Sequence, residues 1–437
     1  MEPHPIGLVV EDDLRRSRLT VFFRLILAIP HIIWFLLWSF AVVIAAVVSW
    51  FIVLFKARLP ESLHRFFAKY VRYSTHLYAY LYLAANGYPG FVGEAGDYPV
   101  DVKIDGPARQ SRWKTLFRLL LALPAFLLTG ALTGAPGGGG GGGGSGWEGG
   151  GTGGGDSEWY WSFSGQTGVV ALAAFFGWFV CVALARMPLG YRDLAVYALR
   201  YSAQTSGFLL FLTDRYPSSD TRIPAATQPT PKKPIRLTVA DDLRRSRVTV
   251  FFRLLLAIPH IVWLVLWGIA VFFAVVVGWF ATLVTGQLPD ALHRFIGAYL
   301  RYETHVLAFL YLIANPFPGF SGAPGAYPVD LQIAPRQRQN RWKTLFRMFL
   351  AIPAHVLAFG LGGVLWLVAV FGWFTGLFLG RMPEGLRNLG AYCLRYSAQA
   401  WGYSWLLTDS YAYAGPTDYV EPLPPWPGPL PLPAQSS

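Results

Sequence analysis

Two sets of arginines stand at repeating intervals along this chain, and both have chemistry to offer. The first set precedes tyrosine: Arg72–Tyr73, Arg200–Tyr201, Arg301–Tyr302 and Arg395–Tyr396. A guanidinium is planar and can grip a phosphate with two parallel hydrogen bonds, while tyrosine suits the headgroup level of a bilayer. The pairs read as contacts for anionic phospholipid or, equally, as anchors for the helix that carries them. The second set lies inside long apolar runs: Arg24, Arg118, Arg253 and Arg347. Each is followed in its run by a tryptophan, Trp50, Trp178, Trp279 and Trp373. Folding each run into a helical hairpin brings the two to one depth, so that they can meet within or between repeats, where a guanidinium over an indole contributes about 0.5–2 kcal/mol. Separate snorkelling of each residue is the plainer reading, and the preferred one over a ligand role for Arg24.

Other chemistry is easier to exclude. His31, His64 and His76 return as His260, His293 and His305. Further matches to His64 and His76 are Arg192, Arg387, Gln204 and Gln399. A metal ligand has to stay histidine, cysteine or carboxylate, so no metal is expected. Cys181 and Cys393 occupy non-matching places, which argues against a disulfide or metal framework. There is no metalloprotease helix motif and no nucleophile elbow, and the glycine run Gly137–Gly144 lacks the Lys-Ser/Thr ending of a phosphate loop. Neither an enzyme nor a cofactor is expected.

Hydropathy sets the elements that must hold these residues. Of 437 residues, 54% are hydrophobic and 14% charged, against about 25% charged in a soluble domain. Stretches such as Leu25–Phe55 and Leu254–Val284 exceed the roughly 20 apolar residues that cross a bilayer. The net charge is +12, but the basic residues sit beside the apolar runs, as the positive-inside effect requires. Membrane lipid, above all anionic phospholipid, is therefore the expected partner. Nucleic acid is not, and protein partners stay open. The opening MEPHPIGLVVEDD shows no cleavable signal pattern.

The runs belong to an internal repeat. DDLRRSR at Asp12–Arg18 returns at Asp241–Arg247, while RWKTLFR at Arg112 matches RLTVFFR at Arg18 and recurs at Arg341. Repeats are read over residues 1–97, 98–217, 235–326 and 327–414, with a linker over 218–234 and a disordered proline-rich tail over 415–437. Each repeat opens on alternating apolar residues, Ile6, Leu8 and Val10 in the first, which suit one short strand or an extended linker. Apolar helices a (about 18–37, with a kink expected at Pro30) and b (about 41–55) follow. A segment opened by Pro60 then sets Arg65, Lys69, Arg72 and His76 against Leu63, Phe66, Phe67, Tyr70 and Leu77, an amphipathic helix for the headgroup region. The expected fold is an all-α membrane protein: four helical hairpins, each with an amphipathic interfacial helix and one short β-strand outside the membrane.

The second repeat carries a glycine-rich insertion over about 131–165, with Glu148, Asp156 and Glu158 and no basic residue. Such backbone has no place in hydrocarbon, so the junction of a and b is expected to reach water. No Lys or Arg lies between Arg24 and Lys56, and basic residues flank both outer ends of every run. Two spans per repeat would make eight, with both termini cytoplasmic. Shallow hairpins in one leaflet are the rival.

The run RRSRLTVFFRLILAIPHII, with the later LPESLHRFFAKYVRYSTHLYAYLYL, resembles a bacterial membrane family known only as a domain of unknown function, common in actinobacteria and often in tandem. The resemblance implies fold and bacterial cell-membrane location, and it assigns no activity or site residue. The function expected is that of a non-enzymatic protein that binds lipid or organises membrane. A transporter or channel for a small or lipidic substrate, built from two tandem halves, is the alternative. Acidic residues for ion coupling are missing from its apolar runs.

Overall fold

The structure, a computed structural model, describes residues 4–134, 168–221 and 232–416. Gly137–Gly144 with most of the insertion, residues 222–231 of the linker and residues 417–437 of the tail lie outside the described residues. The chain divides into two compact units, Met1–Arg186 with Ala198–Pro217, and Met187–Tyr197 with Ser218–Ser437.

In the first unit the alternating segments are strands. β1 (Ile6–Val10) pairs antiparallel with β2 (Val100–Ile104), Leu8 opposite Val102. Period-two alternation buries Ile6, Val100 and Val102 and leaves Val9 and Lys103 in water. After β1 comes α1 (Arg18–Lys56), whose start is capped by the Ser17 hydroxyl accepting from the Thr20 N–H. α2 (Glu61–Leu81) follows, opened by Pro60. Then come α3 (Arg112–Leu116), α4 (Arg118–Thr133), α5 (Val169–Leu184) and α6 (Leu189–Leu209), which belongs to this unit from Ala198 onward.

The hairpin of helices a and b does not form. Residues 18–56 are one helix of 39 residues, continuing through Pro30 and through the expected junction. The sequence there, Leu37-Trp38-Ser39-Phe40-Ala41, holds neither glycine nor proline to stop a helix. Ser39 bonds back to the Phe35 carbonyl at 2.6 Å and leaves the ladder intact. The insertion at the matching place had suggested a turn in every repeat, but it interrupts one helix only. α4 and α5 have 16 residues each, together close to the 33 of the uninterrupted helix Arg347–Leu379. Gly168 lies so close to the Thr133 and Gly134 backbone that no side chain would fit. The count of eight spans required the hairpins and falls with them. Among the described residues three helices, Arg18–Lys56, Arg247–Thr285 and Arg347–Leu379, are long and apolar enough to cross a membrane, which fits a membrane protein.

The second unit is built alike. β3 (Ile235–Val239) pairs antiparallel with β4 (Val329–Ile333). The long helices are α7 (Arg247–Thr285) and, after the short α9 (Arg341–Leu345), α10 (Arg347–Leu379). α8 (Asp290–Leu310) and α11 (Glu384–Ser404) are the shorter pair.

Within each unit the shorter helices form a middle layer. α2 packs against α1 on one side and β2 on the other, and α8 does the same with α7 and β4. Tyr70 and Ser39 hydroxyls meet at 2.8 Å, the Tyr73 hydroxyl meets His31 Nδ1 at 3.0 Å, and Arg72 Nε donates to the Val102 carbonyl at 3.0 Å. α2 is thus not a free interfacial helix. The tyrosines interleaved with its basic residues give it a second buried face.

Candidate functional site at the buried arginines

Arg24 points from the second turn of α1 at the C-terminal end of α2. Its Nη1 donates to the Tyr80 carbonyl at 2.5 Å and the Ala85 carbonyl at 3.2 Å, and the guanidinium lies 4.3 Å from the centre of the Tyr80 ring. The other three arginines do the same work. Arg118 donates to Phe208 and Thr213 carbonyls, Arg253 to Phe309 and Ala314, and Arg347 to Tyr403 and Thr408. Their ring partners are Phe208 with Phe211, Phe309 and Tyr403. All four are buried.

Each helix end needs this help. It closes on a left-handed residue with a branched side chain: Leu83 at φ 60°, Phe211 at 60°, Leu312 at 61° and Leu406 at 66°. A side chain there costs about 1–2 kcal/mol, and the last carbonyls of a helix have no partner of their own. A cation placed among them satisfies both the carbonyls and the helix dipole. The arm before the long helix adds a second clasp. Arg16 Nε donates to the Leu83 carbonyl at 3.0 Å while its two terminal nitrogens grip Asp12, both at 2.8 Å. Arg245 repeats this with Leu312 and Asp241. In the other two places a glutamine serves, Gln110 on Phe211 and Gln339 on Leu406. The paired acidic and basic residues before Ser17 do more than open a helix.

The arginine–tryptophan pairing within a run is not formed. On an unbroken helix Arg24 and Trp50 are 26 residues apart, about 39 Å, and the same spacing separates Arg253 from Trp279 and Arg347 from Trp373. Arg118 and Trp178 stand on α4 and α5. The tryptophans instead join the end of one long helix to the start of another. Trp50 Nε1 donates to the Thr115 carbonyl at 3.0 Å, Trp178 to Val21 at 3.0 Å and Trp279 to Thr344 at 2.9 Å. Trp373 stacks edge-on against Phe374.

The arginine–tyrosine set also turns inward. Arg72 and Arg301 donate to the Val102 and Leu331 carbonyls of the neighbouring strand, each at 3.0 Å. Arg395 donates to the Gly415 carbonyl at 2.5 Å, and Arg200 is buried. Tyr73, Tyr201, Tyr302 and Tyr396 are buried, with Tyr302 on His260 at 2.7 Å. Arg72, Arg301 and Arg395 thus each make at least one bond inside the fold, with Arg72 and Arg301 half-buried.

The histidines are spent on the same framework. His76 Nε2 meets the Asp101 carboxylate at 2.9 Å and His305 meets Asp330 at 2.9 Å. Burial raises the Asp101 carboxyl, but hydrogen bonds from His76 and from the Gly96 and Val102 N–H groups outweigh it and hold it below its usual value. Among the described residues no three His, Cys, Asp or Glu side chains gather as a metal would need. The arrangement clasps helix ends.

The family model of a domain of unknown function (DUF4389) matches residues 18–93, 247–321 and 341–413, just over half of the chain. The chain belongs to the DUF4389 family. Each matched DUF4389 segment runs from the start of a long helix, or the short turn before it, past the arginine-clasped end of the shorter one. The Arg118 site, with Phe208 and Thr213, lies outside the matched segments yet is built in the same way. No curated protein and no solved structure matches the chain.

Proposed function

We propose that this DUF4389 protein is a non-enzymatic component of a bacterial cell membrane, made of four copies of one unit, with both termini on the cytoplasmic side. It binds anionic phospholipid and organises the membrane around it. The observation that carries the reading is the surface of α1. Nearly every exposed side chain between Leu19 and Phe55 is apolar, and the exposed basic residues Arg15, Arg18, Lys56 and Arg58 flank the helix at both ends. Apolar surface on this scale is covered by lipid in a membrane protein, and each basic residue near an anionic leaflet contributes about 1 kcal/mol. Lipid contact is assigned to these flanking residues and not to the arginine–tyrosine pairs.

The test compares lipid carried through purification from membranes holding phosphatidylethanolamine and phosphatidylglycerol. Changing Arg15, Arg18, Lys56 and Arg58 to Gln should lower the copurified share of phosphatidylglycerol severalfold while the protein still resists alkaline extraction. Changing Arg72 and Arg301 to Gln should leave that share unaltered. An unaltered share in the first variant would reject anionic-lipid binding through the flanks. Substrate flux through proteoliposomes would replace it with the transporter.

A further inference from the structure

We infer that the long helices of each unit lie in the plane of the membrane, within one leaflet, and do not cross it. The inference rests on the reading that these helices are lipid-bound, and it deepens that reading by saying which lipid surface they meet.

Helix geometry gives the first argument. Phe22, Ile33, Ile44 and Phe55 follow one another at intervals of eleven, close to three helical turns, so they line one face of α1. Each is more than half exposed. That line is about 50 Å long at 1.5 Å per residue, while the hydrocarbon core is about 30 Å thick. Fitting it across the core would take a tilt of about 53°, beyond the roughly 0–40° range of spanning helices. α7 carries the same line in Phe251, Val262, Phe273 and Val284, again each more than half exposed. Lying flat, a helix about 10 Å wide fits within a leaflet whose hydrocarbon is about 15 Å deep.

Charge gives the second. The buried stripe of α1, including Arg24, His31, Ser39 and Val42, lies on the face opposite that line. There α2 runs beside the middle of α1, with Tyr73 at His31 and Tyr70 at Ser39. Next to Tyr70 an ion pair between Lys69 and Glu94, 2.7 Å long, is open to solvent, and Arg65 on α2 and Lys103 on β2 are exposed as well. If α1 spanned the bilayer, these charges would stand at the level of the hydrocarbon core. There a single lysine or arginine costs about 2.5–3.5 kcal/mol. Polarity in this unit changes across the layers, from sheet to long helices, and not along the helix axis. A body polar on one side and apolar on the other sits on a membrane, with its apolar layer sunk into it.

Chain connectivity gives the third. The glycine-rich residues 135–167 leave the helix at Gly134 and return at Gly168, halfway along α4–α5. In a spanning helix that point is the bilayer midplane, where such backbone finds no hydrogen-bond partner. In a flat helix it is no deeper than either end.

Spin labels decide between the two placements. Single cysteines at Phe22, Ile33, Ile44 and Phe55, and a fifth at Lys69, are made in the full chain with Cys181 and Cys393 changed to alanine. The protein is reconstituted in vesicles of phosphatidylethanolamine and phosphatidylglycerol. Collision with oxygen and with an aqueous nickel complex reports depth. The expected result is a flat profile, all four α1 labels oxygen-rich and nickel-poor within about twofold, with the Lys69 label open to nickel. A profile deepest at Ile33 and Ile44, with Phe22 and Phe55 open to nickel, overturns the in-plane placement and leaves the lipid-bound reading standing. Nickel access at all five positions overturns both. As a check that tolerates a lost label site, maleimide polymer should reach Arg15→Cys and Arg58→Cys from the same side of sealed vesicles. Reaction from opposite sides overturns the inference.

Discussion

Arg24 and Arg118 clasp the same kind of helix end, yet they are neutralised from different directions. Arg24 itself bonds no carboxylate: in the arm before the helix Asp12 is held by Arg16, and the turn after the helix offers the neutral Asn86. Beside Arg118 the arm offers the neutral Gln110, whose Oε1 accepts from the arginine at 2.8 Å, and the turn supplies the carboxylate, Asp214, also at 2.8 Å. Arg253 with Asp241 and Asn315 follows the first scheme, and Arg347 with Gln339 and Asp409 the second. The requirement common to all four is a cation on the last carbonyls, a second donor on the left-handed residue and one carboxylate nearby. Which element supplies the carboxylate is free to vary.

The largest difference should come from deleting the arginines themselves. Arg118→Met leaves Asp214 only the exposed Lys114 at 3.6 Å as ion-pair partner and strips the Phe208 and Thr213 carbonyls, a loss of about 3–5 kcal/mol. Arg24→Met strips carbonyls but strands no carboxylate, because Asp12 keeps Arg16, and should cost about 1–3 kcal/mol. Denaturant unfolding of the two variants in detergent micelles gives both numbers. Equal losses would break the comparison by showing that the carboxylate beside Arg118 adds nothing.

A smaller effect should appear where matching places differ without compensation. Ser74 on α2 bonds to the Val71 carbonyl at 2.9 Å, but the same place on α8 holds Glu303, whose Oε2 has no partner. Burial lifts the Glu303 carboxyl from 4.5 to about 7. Below pH 4.5 it is protonated in both folded and unfolded chains. Above about 7 the fold must hold a buried charge that the unfolded chain holds in water. Stability should therefore fall by about 3 kcal/mol as pH rises through that window. Glu303→Gln should flatten the profile. A variant that follows the parent at every pH would sink the assignment.

Much of this fold was legible in the sequence, and the parts that were not share a physical reason. Alternation at Ile6, Leu8 and Val10 gave strands because a two-residue period has few other meanings. Apolar runs gave the long helices and the membrane. A hydrophilic insertion in one run marks no turn in the others, because Leu37–Ala41 holds no helix stop. The arginines were paired with the wrong rings because a hairpin that does not form set their depth. Yet Asn86, Asp214, Asn315 and Asp409 follow the shorter helices at matching places. An arginine recurring in step with a terminal Asn or Asp is the signature of a clasped helix end. Tyr73 and its counterparts were read as facing lipid because a side chain's second buried face leaves no periodic trace when it is polar.

The smallest and sharpest test is to convert one scheme into the other. Asn86 already accepts from the Ser17 N–H at 3.3 Å, a role that an aspartate can keep. Arg24 Nη2 is buried without a hydrogen-bond partner, so Asn86→Asp would bring a carboxylate to a donor in need of one. We expect a gain of about 1 kcal/mol at neutral pH, the size of one added hydrogen bond with a charged partner less its desolvation. Its pH dependence carries a definite sign. An aspartate held by an arginine has a folded pKa below its unfolded value, so the gain is present above about pH 4 and fades as pH falls through the folded pKa. The mirror change, Asp214→Asn, should lose about 1–2 kcal/mol at neutral pH. Thermal midpoints of both variants, measured in one detergent at neutral and acid pH, give the two signs. A loss in Asn86→Asp would mean that Asp12 already saturates the first site, and that one carboxylate per arginine is a limit as well as a requirement.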